Sequence, residues 1–189
     1  MTAETTTDLL LARVPALRRS DRDERAMLRG AQAGSKADLE ELFRRYWPPA
    51  YRAAYFVVHD RAAAEDFAQE AFLSALRALD RFDRGRPFGP WLHRIVVNRA
   101  IDWARARALR RELNVEPPDA TVSEEFEARD ELAAALATLS PERRAVVVLR
   151  YVLDYTPGEI ALLLELPRGT VNSRLRRALD ELAGEVARD

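Results

Sequence analysis

The stretch TPGEIALLLELPRGTVNSRLRRAL, Thr156 to Leu179, contains two helical patterns separated by a short turn. Thr156 and Glu159 stand three residues apart, the spacing at which a hydroxyl and a carboxylate cap each other's backbone amides at a helix start. Pro157 takes the first helical position, where its missing N–H leaves no bond unmade. The apolar run IleAlaLeuLeuLeu comes next, and roughly Glu165 to Arg168 interrupt it before a second helical period begins. A supporting helix, a short turn and a second helix make a helix-turn-helix.

At 100° per residue the second helix places Val171, Leu175, Ala178, Leu179 and Leu182 on one face, which reads as core. Asn172, Ser173, Arg176 and Arg177 fall on the other face, with Thr170 and Arg174 flanking and Arg168 at the start. Short hydroxyls, an amide and guanidinium groups suit a DNA major groove, because Arg bonds guanine edges bidentately, Asn reads adenine and hydroxyls hold phosphates. Acids enter only from Asp180 onward. For this helix taken alone, an arginine-rich solvated face remains the rival reading.

Working outward, Ser140-Pro141 predicts a capped helix running to about Tyr151, and Glu124 to Thr138 reads as another. The segment NVEPPDATVS, 114–123, has adjacent prolines and no apolar period, so it marks a boundary between two helical domains. Upstream, a helical pattern starts at Asp21, breaks at Gly34-Ser35 and resumes with Ser35 as its N-cap. Pro48-Pro49 are expected to break or kink the helix beyond them, since each removes a helical donor. Asp60 caps a helix Arg61 to Leu79, RFDRGRPFGP at 81–90 reads as a loop, and Trp91 to about Arg110 as a long helix. No run alternates as a half-buried strand would, so the fold class is all-α.

Among the 189 residues, 48% are hydrophobic and 32% charged, the balance of a soluble globular chain. No run approaches the length of a membrane span and residues 1–18 lack the layout of a signal peptide, so a cytoplasmic location is expected. The absence of cysteine excludes disulfides and zinc-thiolate sites. Catalysis finds no support: His59 and His93 belong to no ligand-spaced cluster, and neither a phosphate-cradling glycine loop nor a nucleophile elbow occurs. No metal or cofactor is expected.

The net charge of -1 hides segregation. Arg84 to Arg111 carry eight arginines against Asp102 alone, whereas Glu112 to Glu131 carry eight acids against Arg129 alone. The footprint of a polyanion ligand therefore survives the cancellation. Lys36 is the one lysine, so coding bias accounts for Arg over Lys but not for the clustering.

Two more surfaces emerge. The helix from Trp91 sets Leu92, Ile95, Val96, Ala100 and Trp103 on an apolar face and Arg94, Asn98, Asp102 and Arg105 in a polar stripe. The preceding loop adds Phe82, Arg84, Arg86 and Phe88, and such a mixture of cations and rings suits single-stranded DNA. Ring by ring, however, Phe88, Trp91 and Trp103 also fit a core. On the helix from Arg61, Phe72, Leu76, Leu79 and the alanines face a core, while Asp66, Gln69, Glu70 and Arg77 surround Leu73 on the other side. A leucine so placed fits an anchor for a protein partner.

These surfaces, in this order, resemble the extracytoplasmic-function sigma factors of bacterial RNA polymerase, within the sigma-70 family. The resemblance rests on AAAEDFAQEAFLSAL (62–76), FGPWLHRIVVNRAIDWARAR (88–107), LSPERRAVVVLRYVLDYTPGEIA (139–161) and PRGTVNSRLRRAL (167–179). It implies a tail at 1–20, a polymerase-binding and promoter-melting domain at 21–111, an acidic linker at 112–130 and a helix-turn-helix domain at 131–189. Asp66, Gln69, Glu70 and Leu73 correspond to the surface that binds core polymerase. Arg84, Arg86, Phe88, Trp91, Arg94, Asn98, Arg99, Asp102 and Arg105 correspond to the part that melts the minus-ten element and captures a flipped base. Arg168, Thr170, Asn172, Ser173, Arg174, Arg176 and Arg177 correspond to the helix that enters the minus-35 major groove. The linker is either a nucleic-acid mimic or a solvated spacer.

The partners implied are core RNA polymerase, promoter DNA as minus-35 duplex and minus-ten single strand, and an anti-sigma factor, with no membrane insertion. Two rival functions stay open at this point: a stand-alone helix-turn-helix regulator, and a helical adaptor between proteins.

Overall fold

A computed structural model of the protein describes residues 21–113 and 127–186. The tail at 1–20, the prolines of 114–123 and the first turn expected at Glu124 lie outside the described residues. The elements are α1 (Asp21–Gln32), α2 (Lys36–Val58), α3 (Arg61–Ala78), a 3-10 turn (Leu79–Arg81), α4 (Phe88–Glu112), α5 (Glu127–Ala137), α6 (Pro141–Val147) with a π turn (Val148–Val152), α7 (Pro157–Leu164) and α8 (Arg168–Val186). No strand occurs among the described residues, and the all-α expectation holds.

Local chemistry sets most boundaries. Ser35 Oγ accepts the Asp38 amide at 3.3 Å and Asp60 Oδ1 the Ala63 amide at 2.9 Å, so both expected N-caps form. At Thr156 the box is complete: Glu159 N–H donates to Thr156 Oγ1 at 3.3 Å and Thr156 N–H to Glu159 Oε2 at 2.8 Å. Ser140 holds the cap position before Pro141, but its side chain makes no capping bond.

Two expectations about proline need correction. Helix α2 runs through Pro48 and Pro49 without a break. Two missing amides cost less than the packing that holds this helix, because Leu42 and Tyr46 before them and Ala50, Ala53, Ala54 and Val57 after them are buried. The loop expected to reach Pro90 ends at Pro87, and α4 starts at Phe88. Pro90 then falls in the first turn, where a helical amide needs no partner within the helix.

Helices α2, α3 and α4 pack closely, with α1 laid across α2. Alanines make this approach possible: Ala50, Ala53 and Ala54 on α2, Ala64, Ala68, Ala71 and Ala75 on α3, and Ala100 on α4 are almost fully buried. In the C-terminal half, α6 lies against α8 on one side and against α2 and α4 on the other. That double contact explains why Val146, Val147, Val148 and Leu149 are all fully buried, a run with no polar face to give away.

Arg144 is the polar centre of this junction. Its Nε donates to the Leu136 carbonyl at 2.9 Å, Nη2 to Ala137 at 3.0 Å and Leu139 at 2.9 Å, and Nη1 to Val57 at 2.6 Å across the two halves. Val57 lies at the end of α2 while Leu136 and Ala137 end α5, so one guanidinium meets the negative ends of two helices. Burial, then repulsion from Arg111, lowers its pKa to about 10, which leaves it charged at neutral pH.

Candidate functional site

On α8 the apolar stripe meets the core through Val171, Leu175, Ala178 and Leu182, all buried. Leu179, expected with them, is 37% exposed, because it lies at the edge of the stripe. Arg168, Asn172, Arg176 and Arg177 are exposed; Thr170, Ser173 and Arg174 are half-buried. The Ser173 hydroxyl donates to the Thr170 carbonyl at 2.9 Å, so in this structure it is used within the helix. Glu165 ends α7 in the left-handed region at φ 55°, and the Pro167 carbonyl receives the Thr170 amide at 2.9 Å to start α8.

The stripe on α4 is brought together as expected, with Asn98, Arg99, Asp102 and Arg105 exposed and Arg94 half-buried. Its cations are engaged. Arg94 Nη2 lies 2.5 Å from Glu165 Oε1 in the turn between α7 and α8, and Arg105 Nε lies 2.5 Å from Glu142 Oε1 on α6, with Asp102 at 3.5 Å. Arg99 pairs with Glu70 of α3. Burial opposes ionisation of Glu142, but the hydrogen bond from Arg105 and the charge of Arg174 outweigh it and hold its carboxyl below the usual range.

In the loop before α4, Arg84 and Arg86 are exposed and line an open pocket with Gly85, Pro87, Glu24 and Arg25. Phe88 is 2% exposed, wedged among the rings of Tyr46 at 5.1 Å and Phe82 and Trp91 at 5.6 Å. It therefore supports the loop from beneath and offers no face to a base, which corrects its place among the DNA-facing residues. Trp91 is half-buried, 4.7 Å from the Phe82 ring.

On α3, Asp66, Gln69, Glu70 and Leu73 are placed on one side: Asp66, Glu70 and Leu73 are exposed and Gln69 stands with them. Leu76, expected in the core, is exposed at 47% one turn beyond Leu73 at 45%. The adjacent α2 presents Phe43, also 47% exposed and stacked 4.8 Å from Trp47. The helix turns its leucines outward here because alanines already fill the narrow space against α2 and α4.

Several residues escape a reading of the sequence. His93 is buried, its Nδ1 2.7 Å from the Tyr155 hydroxyl across the two halves. Burial, aided by Arg52, lowers its pKa to about 4. His59 ends α2 at φ 55°, and burial with repulsion from Arg144, Arg107 and Arg111 lowers its pKa to about 3. Arg144, Glu24, Gln32 and Tyr46 likewise act through distant partners, and no local spacing signals them. Among the described residues no cluster could hold a metal ion, and no helix is long and apolar enough to cross a membrane.

The two halves match two models of one family. Sigma-70 region 2 matches residues 42–110, and sigma-70 region 4 matches residues 129–182. The chain belongs to the sigma-70 family. Its curated relatives include extracytoplasmic-function sigma factors: SigM of Mycobacterium tuberculosis is 32% identical over 167 residues, covering 87% of this chain and 85% of that protein. SigW of Bacillus subtilis is 30% identical over 169 residues, covering 79% and 88%. Among solved structures, CnrH in complex with the cytosolic domain of CnrY is 28% identical with a TM-score of 0.67, covering 88% of this chain and 98% of that one. The chain is thus a sigma factor of the extracytoplasmic-function type, a promoter-directing subunit of RNA polymerase.

Proposed function

We propose that each of the three surfaces has its own part in promoter-directed initiation. The α3 surface of Asp66, Gln69, Glu70 and Leu73 docks on core polymerase, and the exposed Leu76 and Phe43 extend its apolar area. The 82–87 loop and the α4 stripe engage the minus-ten element as single strand, and α8 enters the minus-35 duplex. Residues 21–111 then act as the melting unit, 131–189 as the upstream reader, and 112–130 as the connection.

The observation that carries this reading is the two-sidedness of α8. Four apolar residues bury one face, and the opposite face exposes Arg168, Asn172, Arg176 and Arg177, none of them in an ion pair among the described residues. Cations without internal partners keep their full charge for phosphates and base edges.

The protein binds and melts DNA without hydrolysing anything, so it is not an enzyme, and its place of work is the cytoplasm beside polymerase. An anti-sigma factor is a further proposed partner: RpoE of Bartonella quintana, which shares the fold at 22% identity, was solved in complex with the anti-sigma factor NepR. The test is a pair of binding assays on the full chain. Asp66→Ala should weaken association with core polymerase while leaving minus-35 duplex binding in place. A stand-alone regulator would bind the duplex and show no affinity for core polymerase, and that outcome would remove the sigma reading.

A further inference from the structure

Two side chains of α1 reach the two ends of the 82–87 loop. Gln32 Nε2 donates to the Leu79 carbonyl at 2.8 Å and to the Phe82 carbonyl at 3.1 Å, where the chain leaves α3. Glu24 Oε1 accepts the Phe88 amide at 2.7 Å, where the chain joins α4, and its Oε2 accepts the Tyr46 hydroxyl at 2.5 Å. Residues 24 and 32 are eight apart on one helix, about two turns, so they lie on the same side with a span of about 12 Å between them. The matched region 2 segment begins only at residue 42, so this helix lies outside it.

We infer that Glu24 and Gln32 are positioning residues: α1 braces the 82–87 loop at both ends and so fixes how Arg84 and Arg86 are presented. Two of these bonds satisfy backbone groups that have no local partner, the Phe88 amide and the Phe82 carbonyl, whereas the Leu79 carbonyl already accepts the Phe82 amide at 3.0 Å and takes Gln32 as a second donor. The Phe88 amide opens a helix whose cap position is held by Pro87, with no side-chain cap from its own loop. A carboxylate at that helix start satisfies the donor and meets the positive end of the helix. Leu79 opens the 3-10 turn and Phe82 follows it, and one amide nitrogen spans both carbonyls.

Tyr46 makes the brace continuous with the core. Burial, then its bond to Glu24, raises the phenol's pKa, so it remains a donor at any working pH. Its ring packs 5.1 Å from that of Phe88, beneath the loop. Between the two anchors Arg84 and Arg86 stay exposed, and Asp83 Oδ1 accepts the Gly85 amide at 2.8 Å to shape the tip. A loop held at both ends loses little freedom on binding, so its cations meet DNA in one geometry.

This inference rests on the minus-ten reading of the loop only for its functional arm. Hydrogen exchange on the full chain provides an independent arm. Gln32→Glu keeps the length but replaces the donor by a carboxylate facing two carbonyls, and Glu24→Ala removes the acceptor; Glu24→Gln keeps an acceptor and serves as rescue. In Gln32→Glu and Glu24→Ala, exchange across 82–88 should quicken about tenfold or more, with α7 and α8 unaffected.

With core polymerase, both variants should lose about tenfold of the discrimination between matched and mismatched minus-ten elements, Glu24→Gln should retain it, and minus-35 duplex binding should not move. If a variant proves too unstable, Gln32→Met tests the same donor without adding charge. Unchanged exchange at 82–88 would overturn the brace. Faster exchange with unchanged discrimination would overturn its positioning role. Failure of the unaltered protein to select any minus-ten element would instead count against the function reading, and the exchange arm would still decide the brace.

Discussion

The cations of α8 and those of α4 face solvent in different company. Arg168, Arg176 and Arg177 have no acidic partner among the described residues, whereas Arg94, Arg99 and Arg105 are paired with Glu165, Glu70 and Glu142 respectively. On the proposed reading, α8 can meet duplex DNA as it stands, while the α4 stripe must exchange carboxylate for phosphate. Two of the three acids, Glu165 and Glu142, belong to the C-terminal half, so that exchange also loosens the contact between the halves. Such largely exposed pairs contribute no more than about 1 kcal/mol each. A polyanion can displace them without a large barrier.

Arg144 stands apart from both groups, and the largest expected effect lies there. Arg144→Met would leave the carbonyls of Val57, Leu136, Ala137 and Leu139 without this donor, and should lower stability by about 3 kcal/mol, read as a drop in the thermal midpoint. A shift no larger than that of an exposed arginine would show that the junction does not depend on it.

Next in size, Arg176→Ala should weaken binding to a minus-35 duplex by about 1 to 3 kcal/mol if it makes a bidentate base contact, with core association retained. Unchanged duplex binding would place the reading face elsewhere on α8. This substitution sharpens the contrast, because α8 loses a cation that has no acidic partner among the described residues.

Acid should act on the junction through His93, which is buried, and His59, which is half-buried. His59 and His93 have folded pKa values of about 3 and about 4 against 6.5 for the free ring, so between about pH 6.5 and 4 the unfolded chain binds more protons. Their contribution to stability is complete above pH 6.5 and falls as pH drops through that window, by at most about 1.4 kcal/mol per pH unit for each ring. Denaturant titrations at several pH values should show the slope, and His93→Gln should flatten it. A profile identical to that of the unaltered chain would mean that His93 does not contribute.

The smallest effect belongs to the exposed pairs. Glu165→Gln releases Arg94 and should strengthen binding of single-stranded minus-ten DNA by less than about fivefold, with the gain vanishing at high salt. A gain that persists in high salt would point to a change in domain packing instead of freed charge.

How much of this is legible in the sequence depends on the range of each interaction. The capping box at Thr156, the caps at Ser35 and Asp60 and the stripe from Val171 to Leu182 obey rules that span three or four residues, and the sequence shows them. The passage of α2 through Pro48-Pro49 is hidden, since tertiary packing overrides a local penalty. Phe88 reads as part of a DNA-facing loop because sequence spacing cannot show Tyr46 and Glu24 closing over it. Helical period alone assigns Leu76 to the core, yet the alanines of α3 already take the buried side. The partners of Arg144 and Gln32 lie up to 87 and 50 residues away, beyond any local pattern.

The central claim, that two DNA-reading surfaces and one polymerase surface act as a single promoter reader, is tested most directly by transcription in vitro. Core RNA polymerase with this chain, run over a library in which minus-35 and minus-ten elements vary independently, should start from a subset of templates sharing both elements, and lose those starts when either element is scrambled. Starts that ignore both elements, or no stimulation of core polymerase at all, would contradict it.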